Sequence, residues 1–267
     1  MAIPQYFGRF EITSANQDFS FNDGSAHAMV IPTGFYYTAG YTSESTNQLV
    51  EAVNAQLETI SAAYGCNWDD VNGDGTRDDT GTNRITLDFT GAGSNVSVTF
   101  TDAGVAALLG FSGNITATAK NYTGTQTPRH TWQPTLAPSH YAGVASKFWI
   151  PEFTAKVQRS KDGTTHTIPG NTLYFGGHRF SLLPEADVQV AATVYRDLEQ
   201  FFLDVVGNAQ PIRILPDRTS YTSTSYVTGY AAGRDAGEVG GLDDYRSRWS
   251  ESFDGLWDVD LEFVKKV

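Results

Sequence analysis

A single cysteine, Cys66, stands in 267 residues, so an intrachain disulfide is excluded. Nothing in the sequence sets a base beside it, which argues against a thiol nucleophile. Charge is also scarce. Charged residues make up 18%, below the usual quarter, and the cations are the scarcer sign, with 18 Lys and Arg against 30 Asp and Glu. A surface that grips nucleic acid needs clustered cations to neutralise phosphates. Here the basic residues are scattered, with no run beyond Lys265-Lys266, and the net charge is -12. Specific nucleic-acid binding is therefore not expected, and the charge serves solubility. No apolar run approaches the length of a membrane span. Met1 to Phe7 has neither the charged start nor the apolar stretch of a secretory signal, so the protein is expected to stay in the cytoplasm where it is made.

Catalytic constellations are missing as well. The five histidines (His27, His130, His140, His166 and His178) form no H-x-x-x-H zinc spacing. The acidic pairs Asp69-Asp70 and Asp243-Asp244 are sequence neighbours. Glycoside hydrolysis needs two carboxylates aimed at one bond from opposite sides, so these are better read as solvated loop charges. The glycine-rich stretches Gly91 to Gly93 and Gly237 to Gly241 lack the lysine and following helix of a phosphate loop. No residue is put forward as catalytic, and the chain is expected not to be an enzyme.

What is present points to strands. Glycine is abundant (26 residues), aromatics reach 13%, and threonine and serine are dense, which suits short strands joined by tight turns. The expected fold is mainly β, with two β-sandwich or barrel-like halves, 1–145 and 146–267, each carrying one packed helix. The first helix is expected near 46–64, opened by a capping box of Ser45 and Gln48 and buried through Leu49, Val53, Leu57 and Ile60. The second is expected near 186–206, buried through Val190, Val194, Leu198, Phe201 and Val205. Asn22-Asp23-Gly24 marks a turn. Ile85, Leu87 and Phe89 alternate with polar residues, as do Val96, Val98 and Phe100, which predicts a hairpin from Arg84 to Phe100. Thr101 is expected to cap a short helix, Asp102 to Leu109, with Gly110 just past its end. In the closing strand Trp257, Val259, Leu261 and Phe263 alternate with Asp258, Asp260 and Glu262, giving one buried and one acidic face.

Asp70-Val71-Asn72-Gly73-Asp74-Gly75-Thr76-Arg77-Asp78 matches the first half of a Ca²⁺ loop. Asp70, Asn72 and Asp74 place oxygens at alternate positions, Gly75 permits the sharp turn, Thr76 offers a carbonyl, and Asp78 is a further ligand. Gly81 stands where a bidentate glutamate would close the loop, and a strand follows instead of a helix. Two readings stand: a structural Ca²⁺ site that stiffens the loop, or a solvated acidic turn. No other cofactor is expected.

Residues 231–248 form a segment too long to be idle in a compact domain. Tyr226, Tyr230, Tyr245 and Trp249 lie in and around it, with Arg234, Arg246 and Arg248. Tyrosine, tryptophan and arginine dominate interface hot spots, so these seven residues are candidate contacts; the other reading is a surface loop of ordinary tyrosine content. The Thr- and Pro-rich stretch from Thr116 to Pro138 is a second candidate contact arm.

Two stretches carry a resemblance. Val96 to Phe100 leads through Asp102 into Leu108-Leu109-Gly110-Phe111-Ser112-Gly113-Asn114 and on to His130-Thr131-Trp132-Gln133-Pro134. Near the end, Leu215-Pro216-Asp217 is followed by a long polar loop and the closing strand Phe253 to Phe263. Both stretches resemble proteins of the tail modules of tailed bacteriophages, of the tail-tip, distal tail or baseplate type. The resemblance contains no catalytic motif. It implies a structural virion protein made in the host cytoplasm and built into the tail. Such proteins form symmetric rings, often hexameric, that join the tail tube to baseplate, hub or fibre proteins. A carbohydrate-binding adhesion module of the tail, a tail-associated glycan hydrolase and a head-decoration or connector protein are the rival expectations.

Overall fold

The computed structural model describes residues 3–38, 48–68, 84–138, 140–142, 150–153, 156–159, 165–168, 172–188, 197–205, 210–215, 227–231 and 249–265. The chain opens with β1 (Gln5–Ile12), β2 (Asp18–Asn22), β3 (Ala26–Val30), β4 (Gly34–Tyr37), α1 (Leu49–Glu58), β5 (Gly65–Trp68) and β6 (Ile85–Asp88). It continues with β7 (Val96–Phe100), α2 (Ala103–Leu108), β8 (Ile115–Ala119), β9 (Asn121–Thr123) and β10 (Thr131–Trp132). Two antiparallel sheets result, in the orders β3-β2-β7-β8 and β5-β6-β9. They share one core. Phe19, Phe21, Val96 and Val98 enter it from the first sheet, and Cys66, Trp68, Ile85 and Leu87 from the second. Phe21 and Phe89 meet there with ring centroids 4.9 Å apart.

The turn at Asn22-Asp23-Gly24 forms as its residues dictate. The Asn22 and Asp23 side chains accept from the backbone N–H groups of Gly24 and Ser25, at 2.9 and 3.1 Å. The predicted hairpin between Arg84 and Phe100 does not form. β6 pairs with β5 and β9, while β7 pairs with β2 and β8. Both strands alternate as read, and both bury their apolar face in the same core, but from opposite sheets. Alternation reports which face is buried and leaves the pairing partner open. The stretch from Thr116 to Trp132 is also woven in. β8 pairs with β7, β9 with β6 and β10 with β1, and Thr131 and Trp132 are buried.

The first helix is shorter than the reading. It ends at Glu58, with Thr59 at the C-cap, and Gly65 already begins β5. Its N-cap is Gln48, which makes no capping bond with its side chain; Ser45 lies outside the described residues. Leu49, Val53 and Leu57 are buried, but Ile60 falls past the helix end and is 40% exposed. In α2 the cap is Asp102 rather than Thr101, its carboxylate accepting from Gly104 N–H at 2.7 Å. The other end closes as expected. Gly110 has φ +76°, Phe111 N–H donates to Ala106 O at 2.8 Å and Gly110 N–H to Ala107 O at 3.1 Å, the pair of bonds that ends a helix on a left-handed residue.

The second part of the chain comprises β11 (His140–Ala142), β12 (Ile150–Phe153), β13 (Lys156–Arg159), β14 (Thr165–Ile168), β15 (Thr172–Pro184), α3 (Glu185–Val188) and α4 (Leu198–Val205). It ends with β16 (Ile212–Leu215), β17 (Val227–Ala231), β18 (Trp249–Phe253) and β19 (Leu256–Lys265). β13 and β14 make a hairpin of their own. The rest join the largest sheet, ordered β10-β1-β16-β17-β19-β15-β11, with β4 on β1, β12 on β15 and β18 on β19. The described stretches of the second predicted helix are α3 and α4, with Val190 and Val194 outside the described residues. Leu198, Phe201 and Val205 are buried as read. The closing strand holds its pattern, with Val259, Leu261 and Phe263 in the second core.

β1 ties the two cores together. Gln5 to Gly8 pairs with β16, and Arg9 to Ile12 pairs with β4. The largest sheet therefore takes β1, β4, β10 and β11 from the N-terminal side of residue 145. Gly8 lies under α4, where a Cβ would run into the Val205 side chain, so helix and strand approach closely only because the residue is glycine. The fold is mainly β, and its antiparallel sheets are open, with no closed barrel among the described residues.

Candidate interface on the largest sheet

Period-2 alternation and the strand register place a set of side chains on one face of β4, β1, β16 and β17. Arg9 stands opposite Tyr37, Glu11 opposite Phe35, Phe7 opposite Arg213, and Arg213 opposite Thr228, two residues before Tyr230. The Arg9 guanidinium lies 4.1 Å from the Phe35 ring centroid, and that of Arg213 lies 4.3 Å from the Tyr37 centroid. Each contact fixes a flexible cation over a flat ring, a favourable arrangement of about 0.5–1 kcal/mol at a partly exposed site. Burial raises the Tyr37 hydroxyl above its ordinary value, while Arg213 and Arg9 pull it back and Tyr230 adds to the rise. Tyr230 is thus an electrostatic neighbour of Tyr37. Phe35 is 41% exposed, and Arg9, Arg213 and Tyr230 are half-buried. The result is a stripe of alternating arginine and aromatic side chains, held in place and open to solvent along one edge. It can offer planar, partly desolvated contact area to a neighbouring surface.

Of the seven contact residues read from the sequence, the structure brings Tyr230 into this stripe. Trp249 is buried in the second core, 5.7 Å from Phe202 by ring centroids. Tyr226, Arg234, Tyr245, Arg246 and Arg248 lie outside the described residues. So do Asp70, Asn72, Asp74, Thr76 and Asp78 of the acidic loop. Among the described residues no group of three or more His, Cys, Asp or Glu side chains is placed to hold a metal ion. Arg9, Phe35, Tyr37 and Arg213 were not singled out by the sequence reading. Their signal lies in register: Arg9 meets Phe35 and Tyr37 through the pairing of β1 with β4, and Arg213, more than 170 residues further along the chain, joins them only through the pairing of β1 with β16.

Titratable groups are buried elsewhere. His178 is 1% exposed, hydrogen-bonded through Nδ1 to the Tyr6 hydroxyl, and burial lowers its pKa to about 3. His130 stacks on Phe10 at 4.9 Å with φ +63°, and burial lowers its pKa to about 4 against an opposing pull from Asp204. Both rings are neutral at pH 7. Arg129 grips Asp204 with two bonds, Nε to Oδ2 at 3.0 Å and a terminal nitrogen to Oδ1 at 2.7 Å, tying the segment before β10 to α4. At the β2–β3 turn, Tyr64 donates to Asp23 at 2.5 Å and is pushed up to about 12 by burial and that carboxylate. Cys66 is buried, and its thiol is raised by desolvation, which makes it a packing residue.

No protein-family model, curated protein or solved structure matches the chain.

Proposed function

We propose that the chain is a structural subunit of the tail of a tailed phage, a ring-forming tail-tip, distal tail or baseplate component that joins the tail tube to its neighbours. The observation that carries the reading is the arginine–aromatic stripe of Arg9, Phe35, Tyr37, Arg213 and Tyr230 on one face of the largest sheet, exposed at Phe35 and half-buried at the arginines. Residues of these types, fixed before any partner arrives, lose little freedom on binding, which favours a lasting protein contact. The resemblance of Val96 to Trp132 and of the closing strand to phage tail proteins supplies the place. In this reading the protein is made in the host cytoplasm and resides in the virion, and the loop from Asp70 to Asp78, with or without Ca²⁺, has a stiffening role and no chemistry.

The test is to mix the purified chain with the tail-tube protein of the same genome and separate the products by size. A stoichiometric complex supports the reading. A chain that ignores the tube protein and instead retains cell-surface glycan, whether or not Ca²⁺ is present, contradicts it and favours an adhesion module.

A further inference from the structure

Two Asp-Gly pairs lie among the described residues, each in the turn of a hairpin: Asp23-Gly24 between β2 and β3, and Asp254-Gly255 between β18 and β19. In this dipeptide the glycine nitrogen can attack the carboxyl group of the preceding side chain, because no Cβ shields it. The fold treats the two pairs oppositely. The Asp23 carboxylate is held from three sides. Its Oδ1 accepts from Ser25 N–H at 3.1 Å and lies 3.1 Å from His27 Nε2, and its Oδ2 accepts from the Tyr64 hydroxyl at 2.5 Å. The Tyr64 bond above all holds this carboxyl below its ordinary value, and an ionised carboxylate is a poor target for a nucleophile. The nitrogen is engaged as well, with Gly24 N–H donating to Asn22 Oδ1 at 2.9 Å.

Asp254 is exposed, and among the described residues none donates to its carboxyl group. Gly255 has φ +73°, and a Cβ there would meet nothing within 4 Å, so the turn has room beside the glycine for a new ring. Gly255 N–H donates to Glu251 Oε1 at 3.0 Å. An N–H bond lies in the peptide plane, so Glu251 sits at the edge of this amide and does not cover the face through which its nitrogen attacks. We propose that Asp254 is a site of spontaneous isoaspartate formation, with Glu251 as the base, and that Asp23 is protected from the same change. The Gly255 nitrogen bonds to Cγ of the protonated Asp254 carboxyl as Glu251 takes the amide proton. Glu251 returns that proton to a hydroxyl on Cγ, the C–O bond breaks, and water leaves as a five-membered succinimide closes. Water then adds back at either carbonyl. Breaking the bond from nitrogen to Cγ restores aspartate. Breaking the bond from nitrogen to the main-chain carbonyl leaves the chain running through Cγ, with the former main-chain carbonyl as a free carboxylate. The product carries one more backbone carbon in a two-residue turn, which disturbs the pairing of Phe253 with Leu256 at the hairpin end.

The test incubates the full chain at mildly acidic and at neutral pH, folded and unfolded in guanidinium chloride. Peptide mapping with electron-transfer fragmentation then tells aspartate from isoaspartate at each position. In the fold, residue 254 should convert at least about tenfold faster than residue 23, because the bonds that hold the Asp23 carboxylate must break first. In the unfolded chain the two should convert at similar rates. Glu251→Gln still accepts the Gly255 N–H but is no base, and it should slow conversion at residue 254 about tenfold or more. Absence of isoaspartate at residue 254 in the folded chain, or conversion at Asp23 as fast as at Asp254, overturns the proposal. A difference between the two that persists unchanged after unfolding overturns the claim that the fold protects Asp23. An unchanged rate in Glu251→Gln overturns the assignment of Glu251 as the base.

Discussion

His178 and His130 make the protein sensitive to mild acid. Each ring takes a proton more readily in the unfolded chain, near the ordinary value of 6.5, than in the fold, where burial holds it to about 3 and about 4. The unfolded state therefore binds more protons between about pH 6.5 and 4. Stability contributed by the neutral rings is complete above pH 6.5 and falls as pH is lowered through that window, by up to about 1.4 kcal/mol per pH unit for each ring. Urea melts at pH 7.5, 6 and 5 should show the decline well before carboxylate protonation begins. In a His178→Gln variant the slope should shrink; an unchanged slope would mean that His178 titrates normally. The grip of Arg129 on Asp204 is the second prediction at this scale. Asp204 is nearly buried, so Arg129→Ala should cost about 2–3 kcal/mol, less than a fully buried pair because the arginine is partly exposed. Arg129→Lys should recover only part of this, since a lysine lacks the two-pronged geometry. A loss below about 0.5 kcal/mol in both would show the pair to be a weak surface contact.

At the scale of elements, the end of α2 gives the sharpest prediction. Gly110 sits at φ +76°, and a Cβ there would lie 2.5 Å from Gln126 O. Gly110→Ala should lower stability by about 2 kcal/mol or more. Gly93→Ala, where a Cβ meets nothing within 4 Å, should be close to neutral in the same denaturation series. The pair separates a strained helix stop from a general cost of losing glycine. Gly110 was legible in the sequence because a helix C-terminus leaves its signature locally, in a glycine followed by an apolar residue. The turn at Asn22-Asp23-Gly24 and the closing strand from Trp257 were legible for the same reason: their signals lie within a few residues. The partners of β6 and β7 were not. Alternation in Ile85-Leu87-Phe89 and in Val96-Val98-Phe100 fixes a buried face, but the choice between a hairpin and two facing sheets depends on β2, β5, β8 and β9, which lie elsewhere in the chain. Ile60 was misplaced because apolar spacing continued one turn beyond the point where the helix stops.

For the whole molecule, β1 decides the arrangement. Its first half belongs to the large sheet and its second half carries β4, and the same strand brings Arg9 beside Phe35 and Phe7 opposite Arg213. The candidate interface could not be read from the sequence, since its residues come from four strands and only Tyr230 lay near a segment that drew notice. Association through the arginine–aromatic stripe should weaken as salt screens its guanidinium groups. The most direct test of the central claim is the mass of the purified chain by light scattering over a wide concentration range, alone and with the tail-tube protein of the same genome. A ring of defined mass, or a stoichiometric complex that appears on mixing, is the predicted result. A single monomeric mass under every condition would contradict the claim that this protein is a building block of a larger assembly.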